Sequence, residues 1–267
     1  MTVVKAVAVA LVILLSAGTV HAEKDYEPWY RGKYGRNRLL HISITAGLGA
    51  VWLANSTVLK GSFTASSCRW CEPPGFDKSA RDAVVWNDAK RAGFLSDIDA
   101  YVVAPAIGLT LLIIADRDAS WSRLIDDIIP VAETVAVSQV FVQAIKFMTA
   151  RKRPYKYYNN PTYPNASSED LLSFPSGHSS LGFAITASAG MICHWRHYWT
   201  EPYVWGTGIA LSLSTEYLRM AADRHWLSDV VVGGFVGLGA GLLIPRLMRR
   251  DIVIAPVPGG AAVVGQF

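Results

Sequence analysis

Apolar residues gather in six long runs separated by polar connections: 38–55, 99–115, 128–147, 177–194, 203–220 and 229–245. Each run is long enough for roughly five turns of helix, and the borders carry helix signals. Asp97 or Asp99 can cap the second run, and Pro130 fits the first turn of the third. Ser176 can cap the fourth and Pro202 fits the entry to the fifth. The small residues of GGFVGLGAG (233–241) would let the last helix approach a neighbour closely. The pattern therefore predicts an all-α chain, a bundle of six long helices. Residues 1–22, with Lys5, the apolar run AVAVALVILLSAG and Val20-His21-Ala22, read as a secretory signal peptide.

The same pattern divides the chain. The signal (1–22) is followed by a segment, 23–97, holding a polar lead-in, the first helix and a long cysteine-bearing connection with a short helix near KSARDAVVW. The helical core occupies 98–250, and 251–267 is an extended tail. Several of the apolar runs are short for bilayer spans of about 20 residues. Glu133, Gln139, Gln143 and Glu216 interrupt them. Both a soluble bundle and a membrane bundle with inward polar residues fit this pattern. Export places the chain in the cell envelope, periplasmic or associated with the inner membrane.

Composition narrows the chemistry. The formal charge is +4 with dispersed Lys and Arg, and no basic block suited to nucleic acid. Cys68 and Cys71 form a C-x-x-C that cannot complete a four-ligand zinc site, and Pro73-Pro74 disfavour the helix of a redox motif. In an oxidising compartment a local disulfide is expected. Cys193 reads as a small buried hydrophobe. No metal cluster is visible and no cofactor is called for.

Three stretches carry chemistry. In RMAADRHWLSD (219–229), Asp229 follows His225 by four positions, which on a helix puts the carboxylate beside the imidazole. A carboxylate holding one ring nitrogen as N–H leaves the other with a free lone pair. Arg219 supplies a planar fork for an anion. In KFMTARKRP (146–154), Lys146 and Arg153 place two cations near a helix end. In PSGHSS (175–180), Ser176 and Gly177 open a helix whose free N–H groups form an anion site, with His178 beside it. Together Lys146, Arg153, Arg219, the Ser176 hydroxyl and the amides of 176–178 can surround a phosphate. His225 can attack it, Asp229 can orient His225, and His178 can protonate the leaving group.

These stretches resemble, in order and spacing, the three signature motifs of the type 2 phosphatidic acid phosphatase superfamily: Lys-x6-Arg-Pro, Pro-Ser-Gly-His and Arg-x5-His-x3-Asp. That superfamily includes bacterial class A acid phosphatases, lipid phosphate phosphatases and vanadium haloperoxidases. The resemblance covers about residues 100–247. It implies an all-helical core of that type and a metal-independent phosphatase acting on a phosphorylated lipid or small molecule. It also implies a phosphohistidine on His225, with His178 as general acid. Leu218 stands where the family usually has serine. The same pocket in a haloperoxidase would hold vanadate at His225, and a non-catalytic envelope protein with a vestigial site is the other alternative. The connection 155–174, rich in Tyr, Asn and Ser, is expected to overhang the pocket, with Tyr155 and Tyr157 helping to select substrate.

Overall fold

The structure is a computed structural model that describes residues 38–115 and 121–249 and the strands 253–257 and 260–264. The signal peptide expected at 1–22 and the lead-in at 23–37 lie outside the described residues.

The described core is helical. Helices α1 (Arg38–Ser56), α2 (Lys60–Phe63) and α3 (Gly75–Val84) precede α4 (Ala89–Ile98). A π-helical turn, Asp99–Val103, joins α4 to α5 (Ala104–Ala115) without a break. There follow α6 (Trp121–Thr149), α7 (Pro154–Tyr157), α8 (Gly177–Trp195), α9 (Glu201–Ala221) and α10 (Leu227–Arg249). Strands β1 (Val253–Val257) and β2 (Gly260–Val264) pair antiparallel, so the tail forms a hairpin.

Two helix starts differ from expectation. The second long helix begins at Ala89, where the Asp88 side chain accepts from Arg91 N. Asp97 and Asp99 lie within the helical run, and the domain boundary expected at 97/98 falls inside it. The third begins at Trp121, leaving Pro130 in its interior, where it removes one internal hydrogen bond. Asp126 and Asp127 made the run look as though it began later. Both are buried: Arg38 pairs with Asp126, while Arg196 and Tyr198 hold Asp127. Ser176 caps α8, its Oγ accepting from Ser179 N, and Pro202 stands in the first turn of α9.

Helix α8 runs through the middle, with most of its residues buried. Helix α10 lies against it so closely that a Cβ at Gly233 would meet Ser176 O at 2.4 Å, and one at Gly237 would meet Ser180 O at 2.2 Å. Only glycine permits that approach, which fixes the start of α8 beside the start of α10. Ser176 N donates to Asp229 O at 2.9 Å across the junction.

Among the described residues, four helical stretches are long and apolar enough to cross a bilayer: Arg38–Ser56, Ala89–Ala115, Arg123–Thr149 and Leu227–Arg249. Large apolar side chains point outward from them, including Leu53, Leu109, Phe141 and Phe235. That is the construction of a membrane protein: polar groups such as His41 and Glu133 pair inside at 2.9 Å while leucine and phenylalanine face out. Helices α1 and α6 run the same way, since Arg38 meets Asp126 near one end and Phe63 meets Phe147 at the other. The connections 57–88, 150–176 and 222–226 therefore share one end of the bundle.

Candidate active site

The site forms at that shared end. Helix α9 stops at Ala221, and Asp223 takes φ of 60°, a conformation aspartate tolerates. The Asp223 carboxylate is held by both arms of the Arg81 fork at 2.7 and 3.0 Å. His225 and Trp226 follow in irregular backbone, α10 begins at Leu227, and Asp229 sits in its first turn. The two are therefore not on one helix face, as the spacing suggested. Their proximity comes from the helix entry: Asp229 Oδ2 folds back to accept from Trp226 N at 2.9 Å, which leaves it 3.4 Å from His225 Nδ1. No hydrogen bond joins them at that alignment. Oδ2 also accepts from Ser173 Oγ at 2.5 Å.

The other ring nitrogen, His225 Nε2, lies 3.1 Å from Arg153 Nη1. A guanidinium only donates, so Nε2 carries the lone pair and Nδ1 the proton, on the Asp229 side. Burial, followed by the cations Arg153, Lys146 and Arg219, holds the His225 pKa well below its ordinary value. The imidazole is 1% exposed and neutral.

Arg153 is almost fully occupied. Nε donates to Glu169 O at 2.8 Å, Nη1 to Arg224 O at 2.8 Å and Nη2 to Glu169 Oε2 at 2.6 Å. Glu169 also pairs with Lys60 from α2. Burial raises the Glu169 pKa, but Arg153, Lys146 and Lys60 outweigh it and hold the carboxyl well below the usual carboxylate range. Lys146, buried at the end of α6, donates to Leu172 O at 2.8 Å.

On the other side, Asp97 Oδ1 bridges His178 Nε2 at 2.8 Å and Arg219 Nη1 at 3.1 Å. The His178 ring meets Tyr101 edge-on with centroids 4.9 Å apart. Ser176 is fully buried and its hydroxyl is used in the helix cap. Gly177 packs on Gln139, whose Nε2 donates to Gly177 O at 3.1 Å. A cavity of about 570 Å³ opens here, lined by Asp97, Tyr101, Tyr163, Glu169, His178, Arg219 and Arg224 among others.

Lys146, Arg153, Arg219, His178, His225 and Asp229 thus converge from four helices and two connections, with His225 behind Arg153 and Glu169. Sequence reasoning missed Glu169 and read Asp97 only as a cap. It also placed substrate selection on Tyr155 and Tyr157, which point elsewhere. Tyr155 is buried and donates to Asp170 at 2.9 Å, and Tyr157 donates to Glu72 at 2.9 Å. The cavity-lining tyrosine of that connection is Tyr163. Leu218 is half-buried on α9. Cys68 and Cys71 are disulfide-bonded, and Cys193 is buried and free.

The sequence profile of the PAP2 superfamily matches residues 127–252. A probable lipid phosphate phosphatase beta of Arabidopsis thaliana is 29% identical over 135 residues, covering 43% of this chain and 62% of that protein. An undecaprenyl-diphosphatase of Sulfolobus acidocaldarius is 28% identical over 138 residues, covering 51% and 59%. A lipid A 1-phosphatase of Porphyromonas gingivalis is 29% identical over 138 residues, covering 51% and 27%. The matched stretch is thus under two thirds of each relative's length.

Proposed function

The chain belongs to the PAP2 superfamily of phosphatases, and from that premise we propose that it hydrolyses the phosphate of a membrane lipid through a phosphohistidine on His225. The observation that carries the reading is the tautomer imposed on a buried, neutral imidazole. Its Nε2 lone pair faces Arg153, and its Nδ1 proton faces Asp229.

In this reading an incoming phosphate takes the place of the Glu169 carboxylate on Arg153. Arg153 then turns from Nε2 to a phosphate oxygen, with Lys146, Arg219 and the amides opening α8 around the remaining oxygens. His225 Nε2 attacks phosphorus in line with the leaving oxygen. Asp229 stabilises the positive charge that develops on the ring. His178, across the cavity, gives a proton to the leaving alkoxide and then takes one from the water that hydrolyses the phosphohistidine. No step calls for a metal ion.

A lipid substrate is supported by the four apolar helical stretches and by the three relatives, whose names each specify a lipid phosphate or diphosphate. The Cys68–Cys71 disulfide lies at the same end as the site, which supports a site facing an oxidising compartment. The test is phosphate release by the detergent-purified full chain from phosphatidate, an isoprenyl diphosphate and an aryl phosphate, with chelator present. Release from the lipids that is lost in His225→Ala is expected. Release from none of the three, or strict dependence on added Mg²⁺ or Zn²⁺, would refute the reading.

A further inference from the structure

The connection between α1 and α4 lies outside the stretch matched by the family profile, yet it reaches the centre of the site. Asp77, on α3, is fully buried. Its Oδ2 accepts from Arg151 Nη2 at 2.6 Å and from Ser228 Oγ at 2.7 Å, and its Oδ1 accepts from Ser228 N at 2.8 Å. The other arm of Arg151, Nη1, donates to Asp229 Oδ1 at 2.5 Å and to Ser228 Oγ at 2.7 Å. Trp70, inside the disulfide loop, covers the guanidinium at 3.7 Å from the ring centre. Hydrogen bonds link Asp77 to Arg151 and Arg151 to Asp229, whose other oxygen lies 3.4 Å from His225 Nδ1, and all four residues are buried.

The arrangement has a geometric consequence. Asp229 has two oxygens, and Arg151 claims Oδ1. Oδ2 is left to Trp226 N, Ser173 Oγ and the Nδ1 side of His225. Arg151 can hold that position only if it is itself held. A guanidinium with a single carboxylate partner would rotate to take both of its oxygens, as bidentate pairs do. Asp77 takes the second arm and prevents this. We infer that Asp77, acting through Arg151, is a positioning residue that presents Asp229 Oδ2 to His225. Both residues are buried, and their charged groups are taken up by each other, Ser228 and Asp229.

This inference rests on the phosphatase reading, and its experiment separates the two. Asp77→Asn keeps one acceptor for Ser228 but loses the second and the charge that holds Arg151, and Arg151→Lys keeps charge but loses the fork. Both are assayed as full-length protein in detergent, with an aryl phosphate as substrate and inorganic phosphate as inhibitor. The expected result is a fall in kcat on the order of tenfold to a hundredfold, as outer partners of a functional group produce. KM and inhibition by inorganic phosphate should stay as in wild type, because the cations that hold the anion are untouched. Asp77→Glu should recover part of the loss. Unchanged kcat in a wild-type-active preparation would overturn the inference alone. So would loss of phosphate inhibition or of the fold in both variants, since either assigns the pair to structure only. An inactive wild type would overturn the phosphatase reading, and the inference with it.

Discussion

Glu169 closes on Arg153: Oε2 accepts from Nη2 at 2.6 Å, and the Glu169 main-chain oxygen accepts from Nε at 2.8 Å. The carboxylate occupies the guanidinium arm that a phosphate would use, one residue removed from the His225 imidazole. A carboxylate and a phosphate compete for the same fork.

Removing that competitor should tighten anion binding. Glu169→Gln is expected to lower both KM and the vanadate concentration for half-inhibition severalfold, measured at neutral pH and constant ionic strength. A rise in either would show that Glu169 helps substrate to bind. The pH dependence has a definite sign. The folded pKa lies below the ordinary value of about 4.3, so the ion pair's contribution to stability is full above that value. It is lost only as pH falls through the folded value. The melting-temperature difference between wild type and Glu169→Gln should therefore be constant down to about pH 4.3 and shrink below it.

His225→Ala should abolish both turnover and acid-labile labelling of the protein by radioactive phosphate. Because burial and the neighbouring cations depress its pKa, the free enzyme's His225 stays neutral below the ordinary histidine value of about 6.5. The profile of kcat/KM against pH should show no loss of activity at that value caused by protonation of the nucleophile. Burial and the Arg219 cation push the His178 pKa down to about 3, so a break that disappears when His178 is replaced belongs to the acid and should lie well below 6.5.

His178→Ala should discriminate between leaving groups. An alkyl phosphate needs its departing oxygen protonated, so a loss on the order of a hundredfold or more is expected. An aryl phosphate, whose phenolate leaves unaided, should lose much less. Equal losses on the two substrates would remove His178 from the proton-transfer step.

Tyr163 and Tyr157 offer a contrast within one connection. Tyr163 lines the cavity and donates to Ala222 O at 2.9 Å, while Tyr157 donates to Glu72. Tyr163→Phe and Tyr163→Ala are expected to alter relative rates across phosphoesters, and Tyr157→Ala to leave them unchanged. The reverse order, read by competition between two substrates in one tube, would return specificity to Tyr157.

Opening the disulfide should be felt at the first motif. The loop's Trp70 accepts from Lys152 N at 3.2 Å, and Arg69 N donates to Ala150 O at 3.2 Å, pairing the loop with 150–152. The double variant Cys68→Ser, Cys71→Ser should cost on the order of 2 kcal/mol, the value for so short a closed loop. The check is denaturant unfolding of wild type with and without reductant, which should reproduce the variant's midpoint.

The helices were legible because their signal is local. Apolar runs, the Ser176 cap and Pro202 are read within a few residues of where they act. The Asp126 and Asp127 positions misled because a buried acid and an exposed one look alike in sequence. Their partners, Arg38 and Arg196, are far along the chain. Asp97 was misread for the same reason: it resembles a helix cap, and only the packing of α4 against α9 brings it to Arg219.

The sequence by itself determined the helical order and the six residues that gather at the cavity's end of the bundle, since type and spacing alone mark the cations, imidazoles and carboxylate. The tertiary structure decided how they are held. It set His225 in a turn rather than on a helix, and it put Glu169 on Arg153 and Asp97 between His178 and Arg219. It also brought Asp77 and Trp70 to Arg151 from a segment outside the three phosphatase-like motifs. The physical reason is range. Helix propensity and capping act over one or two turns, whereas a buried charge is satisfied by whichever opposite charge the fold delivers, and that partner leaves no mark beside it in the chain.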